Sequence, residues 1–94
     1  MGRSARPKPK RLPEKLLSIR LALGLSQNEI LRRLDIGESL QRNAISGYEL
    51  GGIEPPLPVL LKYARLAGVC LDVLVDDELS LPAKLPAKPK HSHR

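Results

Sequence analysis

Apolar positions along the chain fall into five stretches spaced by three and four residues, and none alternates with a period of two. Leu12, Leu16, Ile19 and Leu23 share one face. They predict a helix beginning at Pro13, a good first-turn residue, with Glu14 favourable beside the N-terminal dipole. Gly24 ends it. Ser26 followed by Glu29 predicts a capping box opening a second helix, with Ile30, Leu31 and Leu34 inward and Arg32 and Arg33 toward solvent. Asp35–Leu40, containing Gly37, is expected to be a turn. A third helix from Gln41 or Arg42 to Leu50 turns Ala44, Ile45 and Tyr48 inward and stops at Gly51-Gly52. Ile53–Leu57 is a loop stiffened by Pro55-Pro56. A fourth helix from Pro58 offers Val59, Leu60, Tyr63, Ala64 and Ala67 to the core and stops at Gly68. A short fifth, Leu71–Val75, runs into Asp76-Asp77-Glu78.

The pattern therefore predicts an all-α, compact five-helix domain. With no Trp, no Phe and two Tyr in 94 residues, its core must be aliphatic. A chain of this length makes one domain and leaves little room for an enclosed active site. Both ends differ in composition from the middle. Residues 1–11 are Gly, Ser, Pro and base; residues 82–94 are rich in Pro and Lys, and LPAK occurs twice from Leu81. Neither end has the apolar content to offset chain entropy. The expected organisation is a disordered basic arm (1–11), a folded domain (12–81) and a disordered tail (82–94).

Charge follows the same division. The net charge is +6, yet Arg3, Arg6, Lys8, Lys10 and Arg11 lie in the arm and Lys84, Lys88, Lys90 and Arg94 in the tail, with no acid in either. The middle carries seven basic residues against ten acidic ones. Cys70 stands alone between Val69 and Leu71, which excludes an internal disulfide and reads as a buried, inert thiol in a reducing compartment. No apolar run has membrane-spanning length, and no apolar stretch follows the basic start as a secretion signal requires, so the cytoplasm is the expected location. No Gly-rich phosphate loop, catalytic acid pair or Cys/His pair occurs; neither an enzyme nor a cofactor is expected. His91 and His93 lack a third ligand nearby and do not make a metal site.

Four motifs stand in order. Leu16-x-x-Ile19-Arg20 with Gly24-Leu25-Ser26-Gln27-x-Glu29-Ile30 is the first, and Ile45-Ser46-x-Tyr48-Glu49-x-Gly51 the second. Pro56-x-Pro58-x-Leu60-Leu61-x-Tyr63-Ala64 and Gly68-Val69-x-Leu71-Asp72-x-Leu74 follow. Together they resemble the Cro/cI-type (XRE-like) helix-turn-helix regulators, over about residues 12–78. The resemblance implies a double-stranded DNA partner, a homodimer, and a third helix that reads the major groove. By it, Gln41, Arg42 and Asn43 fall at the start of the recognition helix, with Ser46 a further base or phosphate contact. Arg suits guanine and Asn or Gln suits adenine, which fits independently. Ser26, Gln27 and the second helix's amide end are implied phosphate contacts. Arg20 and Glu49 match the family's structural ion pair, with Arg20 also near phosphate; Arg11 is a further phosphate candidate from the arm.

Departures from the family pattern matter. The turn between helices two and three is longer than usual, Leu31 replaces a small residue, and Asp35 stands where Gly is usual. The loop Gly51–Pro56 carries Glu54 and no cation, and Gly47 offers no reading side chain. Phosphate contacts supply much of the affinity of such proteins, so the basic tails are expected to supply part of it here; removing them should weaken binding and flatten its salt dependence. The functional expectation is a sequence-specific transcriptional regulator, a repressor. One alternative is an antitoxin that neutralises a partner toxin and represses its own operon. A second is a nonspecific, tail-driven nucleic-acid binder. Leu71, Val75, Leu79 and Leu81 are candidate dimer contacts.

Overall fold

A computed structural model of the chain describes residues 9–35 and 42–86. The described residues form α1 (Leu12–Ala22), α2 (Gln27–Leu34), α3 (Arg42–Leu50), α4 (Leu57–Ala67) and α5 (Leu71–Val75), with no strand among them. The fold is all-α, as the apolar spacing indicates. The turn beyond Asp35, Gln41, and residues 1–8 and 87–94 with His91 and His93 lie outside the described residues.

α1 packs on α3 and α5, α2 on α3 and α4, and α4 on α5. Their shared core is aliphatic apart from two tyrosines: Leu16 and Ile19 of α1, Ile30 and Leu34 of α2, Ile45 and Tyr48 of α3, Leu60 and Tyr63 of α4, and Leu74 of α5. Leu31 is half-buried against this core. Each such side chain contributes roughly 1.5–3 kcal/mol when fully buried, which gives a thin domain of this size most of its cohesion.

Local chemistry sets the helix ends. At α2 the capping box is complete: Glu29 N donates to Ser26 Oγ at 3.1 Å and Ser26 N donates to Glu29 Oε1 at 2.8 Å. α3 ends at Gly51, whose φ of +85° only glycine adopts without strain. That left-handed residue lets Gly52 N reach back to Gly47 O at 3.0 Å. α1 and α4 end the same way at Gly24 and Gly68. α2 ends instead on Asp35, at φ +50°. Asp35 thus takes the conformation that Gly would take there; among other residues Asp and Asn tolerate it best.

The N-terminus of α1 and the C-terminus of α5 cap each other. Arg11, the N-cap of α1, makes no side-chain cap bond of its own. The Asp77 carboxylate does this work, accepting from Lys10 N at 2.9 Å and Arg11 N at 3.0 Å. In return Lys15 of α1, only 2% exposed, donates through Nζ to Val73 O at 2.8 Å and Asp76 O at 3.0 Å. Those carbonyls belong to the end of α5 and have no partner within that helix. Arg11 adds Nη1 bonds to Asp77 O at 2.9 Å and Leu79 O at 3.2 Å, and an Nη2 bond to Ser80 Oγ at 3.2 Å.

The packed unit therefore extends past the expected 12–81 span at both ends. Lys10 and Arg11 are hydrogen-bonded to the domain, and Leu85 packs against the core beside Leu81. Composition hides this, because the bonds at 10–11 run to or from backbone amides and carbonyls as much as between side chains, and Leu85 is the one leucine in a tail rich in Pro and Lys. Cys70 corrects the expectation of a buried thiol: it is exposed. It occupies the extended N-cap position of α5, while its neighbours Val69 and Leu71 turn toward the core.

Candidate nucleic-acid interface

α3 has two faces. Ile45 and Tyr48 are buried and Ala44 is packed against the core. Half a turn away Asn43 is exposed, Ser46 and Gly47 are half-buried, and Leu50 is 82% exposed. The outward face thus starts polar and ends apolar. The N-terminus of α2 contributes Ser26 and Asn28, both exposed, and the half-buried Gln27. Arg32 and Arg33 are exposed at its other end.

A charge cluster fixes α3 against its neighbours. Arg20 of α1 donates from Nε to Glu49 Oε2 at 2.6 Å and from Nη2 to Glu49 Oε1 at 3.1 Å. A third bond runs from Arg20 Nη1 to Leu25 O at 3.1 Å. The side chains are 15% and 5% exposed, so this fork-on-carboxylate pair sits largely out of water. The hydrogen bonds that Glu49 accepts hold the guanidinium pKa above its ordinary value. Gln27 joins the pair: its Nε2 donates to Glu49 Oε1 at 3.3 Å. One carboxylate therefore ties the start of α2 and the body of α1 to the end of α3.

These bonds leave some donors open. Ser26 Oγ accepts from Glu29 N, and a hydroxyl that accepts still has its proton to donate. Gln27 Nε2 likewise has a second N–H beyond the one on Glu49. Arg20 and Arg11 are engaged inside the domain, Arg20 with Glu49 and Leu25, Arg11 with the residues after α5. Arg42 opens α3. Leu71, Val75 and Leu81 pack against the core, while Leu79 is 37% exposed.

Two features of the site escape a reading by residue type. One is the bond from Gln27 to Glu49, since an amide gives no sequence sign of its partner. The other is Ile53, whose side chain lies against Gly47 so closely that a Cβ there would come within 2.7 Å of Ile53 Cγ1. A glycine in mid-helix, with an apolar residue directly after the Gly51-Gly52 stop, is the signal available.

An exposed-faced helix pinned behind a capped helix start is the arrangement of a helix-turn-helix DNA-binding module. A family model described as Helix-turn-helix matches residues 16–74. The chain belongs to that family, the XRE-like helix-turn-helix regulators of Cro/cI type, and at that level it is a DNA-binding transcription regulator. Comparison with curated proteins gives no match. Among the described residues no helix is long and apolar enough to cross a membrane.

Proposed function

We propose that the protein is a sequence-specific transcriptional repressor whose α3 enters the major groove of its operator. Arg42, Asn43 and Ser46, with Gln41 just before them, contact base edges. Ser26 and Gln27 contact phosphate, whereas Arg20 and Arg11 serve the fold. The observation that supports this most is the Arg20–Glu49–Gln27 cluster, which holds the polar, outward face of α3 beside the N-terminus of α2. In a groove, that combination offers base-reading groups and phosphate donors at one level.

The reading extends to a homodimer in the cytoplasm, because one recognition helix spans too few base pairs for an operator. The middle of the chain is acidic, so basic residues outside it contribute attraction to phosphate.

Selection of bound sites from random duplexes tests this directly. A two-fold symmetric site is expected. Asn43→Ala and Arg42→Ala should each relax one position per half-site, with a loss of discrimination on the order of tenfold. Gln27→Ala should weaken all sequences alike and leave the salt slope unchanged, because the amide carries no charge to neutralise a phosphate. Random DNA competing as well as the selected site would overturn the reading.

A further inference from the structure

Gly47 stands one helical turn after Asn43 on the outward face of α3. A side chain at that place would be the next to meet a base after Asn43. The place is filled from elsewhere: the side chain of Ile53 lies over Gly47, in the volume its Cβ would need. The loop is fixed there by two backbone bonds, Gly52 N and Ile53 N both donating to Gly47 O, at 3.0 Å and 3.1 Å. Gly51, in its left-handed conformation, turns the chain back to make them. Ile53 remains 48% exposed. The outer surface of α3 is therefore polar at Asn43 and Ser46 and becomes branched and apolar one turn on.

We propose that Ile53 is a specificity-determining residue that reads the C5-methyl group of a thymine. This rests on the placement of α3 in the major groove. The donor and acceptor edges of a base gain nothing from an aliphatic group and lose water beside it. The thymine methyl is the apolar feature of the major-groove edge, and an aliphatic side chain is its natural partner. One helical turn is 5.4 Å, so the thymine lies about one or two base pairs along the groove from the base under Asn43. The contact is unusual in its source: the reading helix contributes a glycine, and the loop behind it contributes the side chain.

Deoxyuridine differs from thymidine only by that methyl. With the full chain and its selected site, each thymine is replaced singly by deoxyuridine and affinity is measured. One position is expected to weaken binding about fourfold, the worth of one buried methyl. That position should neighbour the one relaxed by Asn43→Ala. Ile53→Ala should bring the thymidine-to-deoxyuridine ratio there to about one; Ile53→Val, which keeps a branched apolar group, should retain most of it. Gly47→Ala must push Ile53 aside and should also reduce the ratio. Thermal melting confirms that each variant is folded. Equal affinity for deoxyuridine at every thymine, or an undiminished ratio in Ile53→Ala, overturns the proposal. If no preferred site emerges at all, the groove placement fails first, and the proposal with it.

Discussion

α1 is held at its two ends by charge clusters built on opposite plans. At its C-terminal half, Arg20 meets Glu49 side chain to side chain, two charges facing each other with little water between them. At its N-terminal half, the charged groups meet backbone: Lys15 donates to carbonyls of α5, and Asp77 accepts from amides at the start of α1. The first cluster ties α1 to α3 and the second ties it to the last helix. Their energetics differ in kind. A buried ion pair is dangerous to break, because the surviving charge is left without a partner. A charge bonded to backbone carbonyls leaves only polar, uncharged groups behind when it is removed.

The largest effect should therefore come from the first cluster. Arg20→Met strands the Glu49 carboxylate in a site where its side chain is 5% exposed. The expected loss is about 3 kcal/mol, a fall in Tm of well over 10 °C for a domain of this size. The double variant Arg20→Met/Glu49→Leu removes both charges and should recover much of that loss. A single-variant cost below about 1 kcal/mol would mean the pair behaves as a surface pair, and the contrast would disappear.

Lys15→Met comes next. It keeps the apolar stem and removes the ammonium, whose pKa burial already lowers. Two carbonyls lose a donor and no charge is stranded, so the cost should be about 1–2 kcal/mol. Amide hydrogen exchange should speed up in α5 and remain unchanged in α3. Equal acceleration in both helices would show that the two ends of α1 are not separately held.

The two clusters also differ in how plainly the sequence shows them. Arg20 and Glu49 are legible because the pair is a matter of side-chain identity at two motif positions. The apolar stripes were legible for the same reason, since Leu16, Ile19, Ile45 and Tyr48 mark the core by type and spacing. Lys15 is opaque: a lysine beside Leu16 on an amphipathic helix reads as a solvated residue, and its partners are carbonyls that carry no residue signature. Arg11 and Leu85 read with the tails because local composition carries no sign of the contacts they make. On α3, the outward position of Asn43 and Ser46 is legible from the spacing of Ala44, Ile45 and Tyr48, whereas the seat of Ile53 over Gly47 depends on the fold of the loop.

Asp77 gives the second cluster a pH signature. Two backbone amides, from Arg11 and Lys10, hold its carboxyl below its ordinary value of 3.8. A group with a lowered folded pKa contributes stability fully above the ordinary value and loses it as pH falls through the folded value. Melting curves of the wild type and Asp77→Asn should thus run a constant distance apart near neutrality and converge in acid below the ordinary carboxylate range. A gap that persists unchanged there would mean that the cap acts through hydrogen-bond geometry alone, independent of its charge.

The smallest effect belongs to Tyr63, which belongs to the first cluster by charge and not by bonding. Its side chain is fully buried, and its hydroxyl has no hydrogen-bond partner among the described residues. Burial first, then the negative charge of Glu49, raises its pKa. An unpartnered hydroxyl in the core is a cost, since it has given up water without replacement. Tyr63→Phe keeps the ring and removes that cost, so Tm should stay level or rise, by no more than about 1 kcal/mol of stability. A loss exceeding that amount would show the hydroxyl bonded in solution, for instance through a water to Glu49. Breaking the ion pair would then disturb four groups on α1, α2, α3 and α4 together, and the first cluster would be a network joining α3 to the rest of the core.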